Sequence, residues 1–185
     1  MAERHVVLVG LMGVGKSTVG RRLAREMDRP FADLDEQVEL AEGATVARLF
    51  RERGEAAFRA VEAARLADLV ARPAPLVIAA GGGAVTGDAN RRLLAGTFVV
   101  WLRGSPEFLA GRTDPTYRPL LAGGDAEGRL ARLLEERQAL YAEVADVAVD
   151  VEPFHAGDDK PKRALARHIA RLVAEHAVAH TEVPS

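Results

Sequence analysis

The sequence predicts an α/β fold organised on a parallel sheet, and three observations carry the expectation. Short apolar runs alternate with longer segments of helical periodicity along the whole chain. The first run, His5-Val6-Val7-Leu8-Val9, leads directly into Gly10-Leu11-Met12-Gly13-Val14-Gly15-Lys16-Ser17-Thr18, the pattern G-x-x-x-x-G-K-[ST], and an amphipathic segment follows. The chain has 185 residues and no internal repeat, a length that suits one domain with a full core. Strands that alternate with helices close through right-handed crossovers into a parallel sheet, whose ligands lie at the carboxyl ends of the strands.

Each element has its own reason. Strands are expected at His5–Val9, Pro30–Leu34, Leu76–Ala80, Thr97–Leu102 and Val147–Val151, where apolar and β-branched residues run together. Helices are expected at Ser17–Met27, Val46–Val70, Asp88–Leu94, Pro106–Gly111, Ala126–Glu143 and Lys162–Ala177. Ser105-Pro106 supplies an N-cap followed by proline in the first helical position. Asp159 ahead of Pro161 offers a weaker start for the last helix. The segment 113–127, with Pro115, Pro119, Gly123 and Gly124, reads as a long mobile loop of the kind that serves as a lid. Residues 1–179 are expected to form the domain and 180–185 a disordered tail.

Composition narrows the function classes. Hydrophobic residues make up 48% and charged residues 28%, ordinary values for a globular protein. A net charge of −2 argues against a general nucleic-acid or membrane surface. No apolar stretch is long enough to span a bilayer, and the Met-Ala-Glu-Arg start has no hydrophobic signal core. The absence of cysteine excludes disulfides and thiolate metal sites. A cytoplasmic enzyme fits these facts.

The glycine-rich loop has a chemistry of its own. Backbone N–H groups of Gly13, Val14, Gly15, Lys16, Ser17 and Thr18 can surround phosphate oxygens, and the helix that follows aims its unpaired N–H groups at the same anion. Lys16 can reach the terminal phosphates of a nucleotide, and the Ser17 hydroxyl can ligate magnesium. An exposed helix terminus contributes only about 0.3–1 kcal/mol per nearby charge, so loop, lysine and metal must act together on a triphosphate.

The ends of the other strands refine this. Phe31-Ala32-Asp33-Leu34-Asp35 would, as a strand, put Asp33 and Asp35 on one side next to the loop. Asp33 suits magnesium; Asp35 suits an acceptor hydroxyl as base or orienting group, or it caps a helix starting at Glu36. The third strand ends in Gly81-Gly82-Gly83 where many nucleotide-binding loops of this kind have an aspartate, which favours Asp33 as the metal ligand. Three glycines allow a sharp turn and close approach to a substrate. Arg59, with Glu62 one turn on, and Arg137 read by pattern alone as surface charges, although Glu62 could also hold Arg59 toward a carboxylate. Arg118 lies in the expected lid, where it could neutralise a transferring phosphoryl group.

Together these motifs resemble the shikimate kinase family. The resemblance is carried by Gly10–Thr18, the F-x-D-x-D of Phe31–Asp35, Gly54–Glu62 as G-E-x-x-F-R-x-x-E, Gly81–Gly83, Arg118-Pro119-Leu120-Leu121 and the Arg137…Tyr141 segment. It implies a nucleoside-monophosphate-kinase-like, three-layer α/β/α fold with a five-stranded parallel sheet. It also implies transfer of the γ-phosphoryl of ATP to the 3-hydroxyl of shikimate, on the route to chorismate and the aromatic amino acids. By that resemblance Asp35 contacts the accepting hydroxyl, Arg59 and Arg137 clamp the shikimate carboxylate, and Gly81–Gly83 pack against the ring. Ser17 and Asp33 serve one Mg2+; Lys16 and Arg118 serve the phosphates. The implied partners are ATP and shikimate, with no nucleic acid and no membrane, and the chain is expected to act as a monomer.

The chain departs from the family after the last strand, at Asp150-Val151-Glu152-Pro153-Phe154, where Phe154 stands in place of an arginine. That leaves Arg112 as the candidate to stack on adenine. The rivals are a gluconate-type kinase, against which F-x-D-x-D with G-E-x-x-F-R argues, and a nucleotide-binding regulator without catalysis. A GTPase is not expected, because no Asn-Lys-x-Asp motif is present.

Overall fold

In the computed structural model, residues 4–113, 125–154 and 159–179 are described. The strands are β1 (Val6–Val9), β2 (Phe31–Asp33), β3 (Val77–Ala79), β4 (Phe98–Arg103) and β5 (Val147–Asp150). They form one sheet in the order β2-β3-β1-β4-β5, every neighbouring pair parallel. Val6, Val7, Leu8 and Val9 are each fully buried. Successive strand residues point to opposite faces, so burial of all four means that both faces of the sheet are covered. The architecture is therefore the expected α/β/α layering on a five-stranded parallel sheet.

The helices are α1 (Lys16–Glu26), α2 (Leu34–Glu42), α3 (Val46–Val70), α4 (Asp88–Leu94), α5 (Pro106–Ala110), α6 (Ala126–Val144) and α7 (Asp159–Ala179). Ser105 caps α5 by accepting from the Phe108 N–H at 3.3 Å, with Pro106 in the first turn as expected. The last helix starts at residue 159, three residues earlier than its periodicity suggested. Proline is tolerated in a first turn, so Pro161 does not delay it. The expected tail at 180–185 and most of the expected lid, 114–124, lie outside the described residues; 126 and 127 belong to the first turn of α6.

The main correction concerns α2. Residues 30–34 were expected as a strand, with Asp33 and Asp35 alternating onto one side. The strand instead stops at Asp33, and Leu34 already begins a helix. The physical reason is the Asp33 side chain, which accepts the Asp35 N–H at 3.1 Å and caps the helix. Asp35 accordingly stands in the first turn of α2, on a helix rather than in a strand. The long helix α3 is bent at Gly54, whose φ of 79° and ψ of 171° interrupt the helical path. A small satellite core of Val38, Leu49 and Phe58 ties α2 to α3 on both sides of this bend.

Candidate active site

The carboxyl ends of β1, β2 and β3 open into one cavity of about 410 Å³. The glycine-rich loop forms one wall. It follows β1, and Gly15 stands at the helix N-cap in the left-handed region, at φ 93°, where a side chain would be strained. That position has no capping side chain, and the first turn of α1 carries no acidic residue. The turn thus keeps its N–H groups and its positive dipole end for an anion. The Lys16 ammonium donates to the carbonyls of Gly10 and Leu11 at 2.9 and 3.0 Å, folded over the loop it would share with a phosphate. Gly13, Gly15, Lys16, Ser17 and Thr18 all line the cavity. Val14 does not: its side chain is buried in the main core, and it anchors the loop from below.

The opposite wall comes from α2, α3 and the residues after β3. Asp33 and Asp35 both face the cavity, and Asp33 is almost fully buried. A β-carbon added at Gly81 would lie 2.1 Å from Glu62 Oε1 and 3.3 Å from Asp35 Oδ1, so the two carboxylates converge there. One added at Gly83 would fall 2.2–2.5 Å from the Arg59 guanidinium. The triplet turns as expected, with the Ala84 N–H donating to the Gly81 carbonyl at 3.0 Å, but none of Gly81–Gly83 has positive φ, so the turn itself does not require glycine. Glycine stands at 81 and 83 because charged side chains of α3 press against the backbone there.

Those side chains form a fixed array. Arg59 donates to Glu62 Oε2 at 2.7 Å and, through Nη2 and Nε, to Glu55 Oε1 at 3.1 and 3.3 Å. Its guanidinium lies over the rings of Phe50 and Phe58, 5.9 and 5.1 Å from their centroids. Burial pushes the Arg59 pKa down, but Glu62 and Glu55 reverse this and hold it above its ordinary value. Burial drives the Glu62 carboxyl upward, against the opposing pull of Arg59. Glu62 Oε1 is buried with no hydrogen-bond partner among the described residues. An acceptor in that condition is costly unless a ligand donates to it.

Arg137 of α6 enters from the other side and is buried, its Nη1 donating to the Gly82 carbonyl at 3.1 Å. Arg59 and Arg137 thus share the cavity instead of lying on the surface as pattern alone suggested. Arg112 also lines it, with its guanidinium over the Phe108 ring. Arg118 lies outside the described residues. Phe154 stacks on His168 of α7 and packs on the main core, so it fills a structural role.

Sequence reasoning gave no site role to Val46, Phe50 or Phe58, the apolar wall of the cavity, although Phe58 is the phenylalanine of the G-E-x-x-F-R motif. Phe50 and Phe58 stand on either side of the Gly54 bend, and their ring centroids are 4.7 Å apart. The bend at Gly54 brings the two rings together, so helical periodicity alone gave no signal for the pair.

The donor set suits a hard cation. Ser17 offers a hydroxyl, and Asp33 has one oxygen engaged in capping α2 and a second one besides. Among the described residues no group of three or more acidic, histidine or cysteine side chains could hold a metal by itself. Two protein oxygens are enough for Mg2+ delivered with nucleotide phosphates, because that ion keeps much of its shell from phosphate and water.

Comparison with known proteins agrees with this geometry. The family model described as shikimate kinase matches residues 12–174. A shikimate kinase of Pseudomonas fluorescens is 42% identical over 174 residues, covering 93% of this chain and 97% of the relative. One of Gloeobacter violaceus is 49% identical over 166 residues, covering 88% and 93%. A structure of shikimate kinase from Acinetobacter baumannii in complex with shikimate superimposes with a TM-score of 0.85 at 38% identity, covering 94% of each chain. On the match of the family model and on these relatives, the chain belongs to the shikimate kinase family.

Proposed function

We propose that this chain transfers the γ-phosphoryl group of ATP to the 3-hydroxyl of shikimate, giving shikimate 3-phosphate and ADP. One observation carries the reading: the phosphate-binding loop, Asp35 and two buried or half-buried arginines share a single cavity. A carboxylate-bearing polyol meets complementary chemistry on every side of it. Arg59 and Arg137 present planar forks that suit a carboxylate, and Arg59 is held in its rotamer by Glu62 and Glu55. Val46, Phe50 and Phe58 offer the apolar wall for a carbon ring, and the orphaned Glu62 Oε1 accepts from a ring hydroxyl.

For phosphoryl transfer, Asp35 orients the attacking hydroxyl and takes its proton as the new P–O bond forms and the bond to ADP breaks. Lys16 exchanges its loop carbonyls for phosphate oxygens, so it stays hydrogen-bonded in both states. Ser17 and the second oxygen of Asp33 would hold Mg2+, which supplies charge neutralisation on the phosphates when bound. Arg112 is assigned to the adenine face and Arg118 to the phosphates, the latter from the family resemblance. The catalytic unit is a single domain over residues 1–179, acting as a monomer in the cytoplasm on small molecules only.

The test is coupled ADP release with shikimate, gluconate and a nucleoside monophosphate offered in parallel. Rapid release is expected with shikimate alone. Release that follows gluconate, or that ignores every acceptor, overturns the assignment.

A further inference from the structure

We propose that Tyr141 is a positioning residue for substrate binding, acting through the Gly82 carbonyl on Arg137; this rests on the reading of Arg137 as a carboxylate ligand. The observation is a shared acceptor. The Tyr141 hydroxyl donates to the Gly82 oxygen at 2.5 Å, and Arg137 Nη1 donates to the same oxygen at 3.1 Å. A carbonyl oxygen has two lone pairs, so these two donors saturate it. Tyr141 is fully buried, and Arg137 is nearly so.

The spacing explains why the two meet. Arg137 and Tyr141 are four residues apart on α6, one above the other on the helix face turned toward Gly82 and the turn Ala84–Thr86. Arg137 meets the Gly82 oxygen at the end of a long side chain with many rotatable bonds. Tyr141 has a short rigid reach and a single donor, so it defines where that oxygen sits. The tyrosine ring is held in turn by Trp101 of β4, stacked at 5.6 Å between centroids and 23° between planes. The support runs from the sheet to Trp101, to Tyr141, and from there to the Gly82 peptide and the Arg137 guanidinium that meet it.

A buried hydroxyl with no such task would be a liability, since it must be desolvated and paired. Burial holds the Tyr141 phenol up to about 12, so it remains a donor throughout the neutral range. Removing the hydroxyl leaves no orphaned group at Gly82, because Arg137 still donates there. The consequence falls on position. The Gly82 peptide gains freedom to tilt, Arg137 follows it, and the carboxylate loses a pre-set partner.

The experiment compares Tyr141→Phe with the unaltered chain in steady-state kinetics and thermal melting, alone and on an Arg137→Ala background. Loss of one hydrogen bond should raise the KM for shikimate about fivefold and leave kcat and the KM for ATP within about twofold. In the Arg137→Ala background the same change should have no further effect, because the group it positions is gone. An unchanged KM for shikimate overturns the proposal. So does a full fivefold effect without Arg137. A Tyr141→Phe chain that melts early and loses ATP binding as well assigns Tyr141 to packing and overturns it too. If the unaltered chain itself fails to turn over shikimate, the functional reading falls first, and this proposal falls with it.

Discussion

Gly83→Ala isolates the fit between Arg59 and the backbone. Gly83 has φ −104° and ψ 2°, a conformation open to alanine, so the substitution is not penalised through the main chain. The new β-carbon would stand 2.2 Å from Arg59 Nη2, 2.3 Å from Cζ and 2.5 Å from Nη1. Ordinary contact needs about 3.5 Å, so the guanidinium must withdraw by about 1 Å or more. That withdrawal works against the 2.7 Å bond to Glu62 and the two bonds to Glu55. A hydrogen bond between charged groups contributes about 1.5–3 kcal/mol, and about 1.4 kcal/mol is one decade in affinity. The KM for shikimate should therefore rise about ten- to a hundredfold. The glycine-rich loop is untouched, so the KM for ATP should stay within about twofold. Steady-state kinetics with each substrate varied in turn measures both. An unchanged shikimate KM, or a parallel rise in the two constants, would refute the argument that glycine stands at 83 to admit Arg59.

Other expectations follow from the same geometry. Asp35→Asn should lower kcat by about a hundredfold or more with the KM for ATP nearly constant, and near-normal turnover would remove Asp35 as the base. Asp33→Ala takes the cap from α2, so it should cost about 1 kcal/mol in a denaturant titration. It should also shift the magnesium dependence of ADP release upward; a change in stability with no magnesium effect would confine Asp33 to capping. Glu62→Gln should raise the melting temperature at pH 7 while weakening shikimate binding, because it removes a buried charge that also steadies Arg59. The native carboxyl lies above its ordinary 4.5, so the native state holds the extra proton between the two values and charged Glu62 costs stability above them. The gain from Glu62→Gln should shrink as pH falls through the raised native value toward 4.5; a gain that grows on acidification would contradict the sign.

Much of the fold could be read from the chain because its signals are local. G-x-x-x-x-G-K-S between a β-branched run and an amphipathic segment needs particular backbone angles and particular atoms, and both are encoded within nine residues. The helix Asp88–Leu94 and the cap at Ser105-Pro106 stand where periodicity and capping put them, and Val46–Val70 does so apart from its bend at Gly54. The strand expected at 30–34 did not extend so far, because strand length depends on a partner. The edge strand β2 pairs with β3 only from Phe31 to Asp33, and past that point a local carboxylate cap is the better use of the backbone.

Arg59 and Arg137 mark the other limit. An arginine with a glutamate three residues on is what a solvated helix face also displays, and nothing in that spacing reveals which way the face turns. Burial is a property of distant segments meeting. Gly81–Gly83 come from the end of β3, Glu62 and Arg59 from α3, Arg137 and Tyr141 from α6, and Trp101 from β4. The sequence by itself determined the phosphate-binding loop, the parallel α/β layering and, through family motifs, the candidate residues. Only the tertiary structure decided that those arginines face inward and that glycine at 81 and 83 makes room for charged side chains. The reason is that local signals set backbone conformation over a few residues, whereas the charge, room and orientation of a site arise where elements remote in the chain are packed against one another.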